Sequence, residues 1–103
     1  MIKKEEIINI DIRREGYKVF HMRDKRYLQL VFEKEDVAIV HRKGEIVLAR
    51  LILPFSEIKA DYYAALEDKT KRDTLCEKVV NLYNRYFPMA KHGYFHYKRL
   101  KTV

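Results

Sequence analysis

His21 and His41 stand at the ends of two strand-like stretches, and bases follow both: Arg23, Lys25 and Arg26 after the first, Arg42 and Lys43 after the second. Two imidazoles meeting beside Lys and Arg could do acid-base work on a phosphodiester without a metal. The same bases need no chemistry to matter, because clustered Lys and Arg supply most of the sequence-independent affinity for nucleic acid. Phosphate binding without catalysis therefore ranks first, and nuclease-like catalysis by His21 and His41 ranks below it.

A second constellation closes the chain. From Lys91 to Lys101 there are four bases and no acid, with Tyr94, Phe95, His96 and Tyr97 in succession. Aromatic rings stack on bases while neighbouring cations track the phosphate backbone, as binding to single strands requires. Tyr94 and Tyr97 are the candidate stacking residues, and Lys98, Arg99 and Lys101 the candidate phosphate contacts. The plainer reading is a sixth strand in which one alternate pair of rings packs on the core and anchors the terminus. His92 and His96 stand four apart but lack a third ligand at zinc spacing, so no metal site is expected. Glycine-rich phosphate loops, nucleophile elbows and paired cysteine motifs are absent from the 103 residues. No cofactor is expected.

These side chains need elements to hold them. Ile8, Ile10 and Ile12 alternate with polar residues, Tyr17 to Met22 resumes the alternation, and Leu28, Leu30 and Phe32 share one face of a third stretch. Val37 to His41 is short and apolar, Gly44 suits a hairpin turn, and Glu45 to Leu53 reads as the longest strand. Pro54 ends it, and Ser56 reads as the N-cap of a first helix. Ile58, Tyr62, Ala65 and Leu66 then lie on one helical face, as do Leu75, Val79, Leu82, Tyr83 and Tyr86 further on. Thr70-Lys71-Arg72-Asp73 resembles a capping box that would start a second helix, and one bent helix is the competing reading. The expected fold class is α+β, a five-stranded antiparallel meander followed by one bent or two consecutive α-helices, with a sixth C-terminal strand allowed. We expect one domain, comprising a meander over 1–53, a helical part over 54–87 and a basic aromatic tail over 88–103.

In a meander, alternate turns lie at the same end of the sheet. The second and fourth turns would then bring Arg23, Lys25, Arg26, Arg42 and Lys43 together, opposed by Asp24 and Glu45. The other end would hold Arg13 and Arg14 with Glu15, Glu33, Glu35 and Asp36. The sheet should be electrically polarised. A net charge of +7 agrees with a polyanionic partner, nucleic acid or an acidic protein. The N-terminus has acids where a secretory signal would need an apolar core, and no run approaches the ~20 apolar residues of a membrane span. A cytoplasmic protein with no membrane partner is the expectation. Cys76, the single cysteine, reads as a buried thiol.

The function expected is thus binding of nucleic acid, single-stranded by preference, or regulation of a nucleic-acid process. The alternative is a protein-binding adaptor or inhibitor that uses an open sheet edge or a tyrosine-rich helical face. Tyr62, Tyr63, Tyr83, Tyr86, Tyr94 and Tyr97 are more than one small core needs, and a homodimer through the first four is expected. For the fold, Leu30→Ala should cost about 2–5 kcal/mol in a denaturant melt, as a large-to-small core change does. A change below about half a kcal/mol would show that the face assignment is wrong.

Overall fold

The structure is a computed structural model and describes residues 1–101. Its strands are β1 (Ile7–Ile12), β2 (Lys18–Met22), β3 (Arg26–Glu33), β4 (Asp36–Lys43), β5 (Ile46–Pro54) and β6 (Tyr94–His96), and its helices are α1 (Lys59–Glu67) and α2 (Arg72–Tyr86). The six strands form one sheet in chain order. β1 to β5 are the expected antiparallel meander, and the sixth strand forms as well. β6 runs parallel to β5, because the two helices carry the chain back along the sheet before it pairs.

The apolar alternation works as a side-chain sorter. Phe20, Leu28, Ile39, Leu51 and Leu53, one of every two positions on their strands, are all at most 1% exposed. They share one cluster with Ile58, Tyr62 and Ala65 of the first helical segment and Leu75, Val79, Leu82 and Tyr83 of α2. Leu28 and Leu30 are buried there, and Phe32 packs half-buried against Phe55 and Tyr62. The opposite face has a smaller cluster of Ala38, Val40 and Ile52 with Val31 beside them. β4 is therefore covered on both sides, which explains its near-continuous apolar run.

The alternation Ile8, Ile10, Ile12 does not hold throughout. Ile7 pairs with Met22 and Asn9 with His21, so Ile8 is the extra residue of a bulge and is 58% exposed. Two helices form, not one bent helix, and neither starts where the capping residues suggest. Ser56 lies in a 3-10 turn, and the N-cap position of α1 is Ile58 without a side-chain cap. Thr70 is itself capped: the Asp68 carboxylate accepts from the Thr70 amide at 2.9 Å and from its hydroxyl at 2.7 Å, fixing a 3-10 turn between the helices. Those two hydrogen bonds hold the Asp68 carboxyl below its ordinary pKa. An acid two residues before a Thr closes an Asx-type turn, which competes with continuing helix.

Two polar contacts tie the layers together. Asn84 of α2 grips the N-terminal segment in the manner of a strand partner, accepting from the Ile2 amide at 2.8 Å and donating to the Ile2 carbonyl at 2.6 Å. Arg72 donates to the Ile12 carbonyl at 2.9 Å, fixing the start of α2 to the end of β1.

β6 depends on one residue. Gly93 has φ +77°, and a Cβ placed there would stand 2.6 Å from the Leu48 carbonyl oxygen. The close approach lets the Gly93 carbonyl accept from the Arg50 amide at 2.6 Å, which begins the parallel pairing. Gly93→Ala should therefore destabilise the protein by at least about 2 kcal/mol, combining left-handed strain with a backbone clash. It should also speed hydrogen exchange at the Arg50 amide. Unchanged exchange there would show that the tail docks without this contact.

Candidate nucleic-acid interface

The second and fourth turns do come together, and the backbone itself joins them. In the β2–β3 hairpin Asp24 and Lys25 sit at φ 61° and 62°, the two left-handed positions that a tight two-residue turn demands and that Asn-Gly usually fills. Lys25 holds this conformation at a cost of roughly 1–2 kcal/mol. In the β4–β5 hairpin Gly44 supplies φ 59° without that cost. The Gly44 amide donates to the Lys25 carbonyl at 3.0 Å, and the Tyr27 hydroxyl donates to the Gly44 carbonyl at 3.2 Å. The two hairpin tips are one rim.

Parity decides which cations the rim presents. Arg23, Lys25 and Lys43 are exposed, and none of them makes an ion pair among the described residues. Arg42 pairs across the sheet with Tyr27, so its side chain lies on the face away from the helices, where its Nε is buried without a hydrogen-bond partner. Arg26, whose register partner Lys43 shares its face, differs from Arg42. It stands on the helix side of β3, half-buried, and its guanidinium meets the Glu6 carboxylate at 3.3 Å. Turn charges at a strand's first residue follow the pleat of that strand, and here the pleat directs Arg26 inward.

The same parity separates the histidines. His41 lines up with Leu28 and Phe20 on the helix side, whereas His21 lines up with Tyr27 on the other. Opposite faces of one sheet cannot form an acid-base couple. His41 is 7% exposed, and a 3.0 Å hydrogen bond joins its Nδ1 to the Tyr83 hydroxyl, while its Nε2 is buried without a partner. Burial, seconded by the Arg26 guanidinium, lowers the pKa of His41. Burial pushes the Tyr83 hydroxyl up to about 12, so both groups are neutral at pH 7. Cys76 is likewise buried, its thiol pushed up to about 11.

The tail lies elsewhere. Because β6 runs parallel to β5, it leads away from the rim toward the acidic β3–β4 turn, where the Tyr97 hydroxyl donates to Asp36 at 2.9 Å. Losing that proton beside a carboxylate is opposed, and the Tyr97 pKa is raised. Tyr97 also stacks on His96, with Lys98 over its ring at 6.0 Å. Phe95 is buried against Tyr86, and Tyr94 is 37% exposed with the Arg99 guanidinium 5.3 Å over its ring. Lys98 borders a groove with Glu33, Lys34, Glu35 and Asp36. The side chain of Lys101 lies outside the described part of the structure. The described candidates thus fall into two groups, one at the rim and one along β6 from mid-sheet toward the acidic end.

Sequence reasoning passes over the face between them. Tyr27 and Gln29 occupy β3 positions opposite to Leu28, Leu30 and Phe32, so the alternation that marks the core marks them as well. Tyr17, His21 and Tyr27 all lie on that open side, around a groove of about 270 Å³.

The buried imidazole gives the fold a pH dependence. An imidazolium is less favoured at His41 in the folded chain than in the unfolded one, whose pKa is about 6.5. The unfolded state therefore binds more protons below that value. His41's contribution is complete above about pH 6.5 and falls as pH drops toward the lowered folded value, at up to about 1.4 kcal/mol per pH unit. In urea melts at pH 7.5 and pH 5, His41→Gln should lose less stability on acidification than the unaltered protein. Equal losses would show that His41 does not resist protonation.

No family model, no curated protein and no solved structure matches the chain.

Proposed function

We propose that this protein binds nucleic acid without catalysing a reaction, holding phosphates at the rim built from Arg23, Lys25, Arg42 and Lys43. The observation that carries this reading is the Gly44 to Lys25 hydrogen bond, which makes two separate hairpins a single cationic surface. Held on one rigid rim, these four charges release counterions together when phosphates replace them. Their only acidic neighbours in the two turns are Asp24 and Glu45, and the other turn cation, Arg26, is already balanced by Glu6. Single strands are the preferred ligand, because their bases are free to stack. Lys98 and Arg99 serve less directly in this reading, since acidic residues of the β3–β4 turn surround Lys98.

A protein partner is the second reading, favoured by one feature. Ile46, Val47 and Leu48 are 66%, 48% and 42% exposed, on the part of β5 that precedes its pairing with β6. An open apolar edge invites another strand, although the bulge at Leu48 interrupts its ladder. The tyrosine face is a weaker support for self-association. Tyr62 and Tyr83 are buried in the core, Tyr86 packs against it, and only Tyr63 is half-exposed.

Binding to a mixed-sequence single-stranded oligonucleotide should weaken steeply as salt rises. Replacing Arg42 and Lys43 by Ala should flatten the slope of log affinity against log salt by roughly one to two units. Lys43 is an exposed turn charge, whose loss seldom exceeds about half a kcal/mol in folding, whereas Arg42 is half-buried, so a thermal melt of the double variant must show it folded before its slope is read. A slope unchanged by the double replacement would remove the rim from the interface.

A further inference from the structure

Among the described residues, both α-helices pack on one face of the sheet. The helices cover the side of Leu28 and Leu51, and the other side carries two rows of side chains that cross the strands. One row runs Asp11, Val19, Gln29, Val40, Arg50, Tyr94, each paired in register with the next. The row beside it runs His21, Tyr27, Arg42 and ends at the rim strand of β5. Around the β2 end of these rows, Asp11, Tyr17, Val19, His21, Tyr27 and Gln29 line the groove of about 270 Å³. The His21 and Tyr27 rings stand 6.4 Å apart at 46°, so they are splayed rather than stacked on each other.

We propose that this groove stacks bases of a single-stranded nucleic acid whose phosphates lie on the cationic rim, an assignment that rests on the proposed binding of nucleic acid there. Three observations converge on that occupant. The His21 and Tyr27 rings line the groove and offer sequence-tolerant stacking, and Gln29 offers a donor and an acceptor to base edges. Tyr27 links the groove to the rim directly, since its hydroxyl is held by the Gly44 carbonyl and its cross-strand neighbour is Arg42. Base and phosphate contacts are thereby adjacent, as a single strand presents them. The charge is also complementary. Asp11 is engaged by Arg13 at 3.1 and 3.3 Å, and the Arg13 guanidinium lies 5.5 Å over the Tyr17 ring, so the one carboxylate of the groove is balanced locally. Toward the centre of the face the apolar residues Ala38, Val40 and Ile52 are already buried, and no broad apolar patch remains there for a protein. A duplex hides its base faces, which leaves single strands as the class that fits. The stacking role moves from Tyr94 and Tyr97, whose rings are engaged by Arg99 and by His96, to His21 and Tyr27 with Tyr17 as the outer wall.

The test compares two fluorescein-labelled probes of about twelve nucleotides, within the range such sites cover: oligothymidylate, and a fully abasic chain with the same number of phosphates. Anisotropy titrations should show oligothymidylate bound on the order of ten-fold or more tightly than the abasic chain. His21→Leu should lower oligothymidylate affinity on the order of ten-fold at every salt concentration while leaving abasic-chain affinity and the salt slope unchanged, and Tyr27→Leu should lower oligothymidylate affinity as much relative to Tyr27→Phe. Tyr27→Phe, which keeps the ring and loses only the hydroxyl contact, should retain the affinity. Tyr17→Ser alters a residue that is 61% exposed and cannot collapse the core, so a smaller loss in that variant guards against a folding defect. Equal binding of the two probes with a steep salt slope would overturn the stacking groove and leave the rim standing. Binding of neither probe at low salt would overturn the groove and the nucleic-acid reading together.

Discussion

The pleat of β3 and β4 is the constraint on which the rest of this molecule depends. Side chains on a strand alternate strictly between two faces, and these two strands pair without a break from Arg26 opposite Lys43 to Glu33 opposite Asp36. Once Leu28, Leu30, Val37 and Ile39 are committed to the helices, every other position is committed too. Arg26 and His41 must lie on the covered side, and Tyr27, Gln29 and Arg42 on the open one. A slip of one residue would place the apolar set in water and the guanidinium of Arg42 in the core, which no available partner could offset. The chemistry of the surface is thus a consequence of burial on the opposite side.

The bulges show where that constraint relaxes. In β1 the extra residue is Ile8 and in β5 it is Leu48, the two strands that would form the sheet edges if β6 were absent. Bulges at edges interrupt the row of unpaired backbone groups that would otherwise invite another chain. The tail does the same for the remaining part of β5 by pairing with it in parallel, and Gly93 is the point at which the chain comes close enough to do so. The first part of β5 stays open, next to the rim, where apolar side chains and cations adjoin.

Much of this is legible in the residues, and the failures have identifiable causes. The meander follows from period-two alternation broken by Gly16, Asp24-Lys25, Lys34-Glu35 and Gly44, and the convergence of the second and fourth turns follows from topology alone. The helical faces follow from the spacing of Ile58, Tyr62 and Ala65 and of Leu75, Val79 and Leu82. Capping misleads because Ser and Thr next to a helix are only candidates, and Asp68 has the geometry to close a turn first. The histidine pairing fails for a sharper reason: strand ends alone bring His21 and His41 together, and parity counted through Tyr27 and Leu28 separates them. Asn84 gives no signal, since a polar residue in a helix reads as solvated until the N-terminal segment is seen beside it.

Charge placement carries the last step. The tail brings Tyr97 and Lys98 to the turn of Glu33, Glu35 and Asp36, so acids and bases there lie within a Debye length, about 8 Å at physiological salt, and largely cancel at a distance. At the other end Arg23, Lys25, Arg42 and Lys43 share the two turns with Asp24 and Glu45, and Glu6 stands against Arg26 beside them. The sheet is therefore more polarised in effect than a net charge of +7 spread over 103 residues implies. A field concentrated at one end orients an approaching polyanion as well as attracting it, because the chain must arrive at the rim first. The rim opens onto the face of Tyr27 and His21 through Arg42, while Arg26 and its register partner Lys43 stand on the helix side, where Glu6 pairs with Arg26. In the proposed reading a bound single strand crosses the face of Tyr27 and His21, where Arg42 joins the phosphate contacts of the rim to the groove.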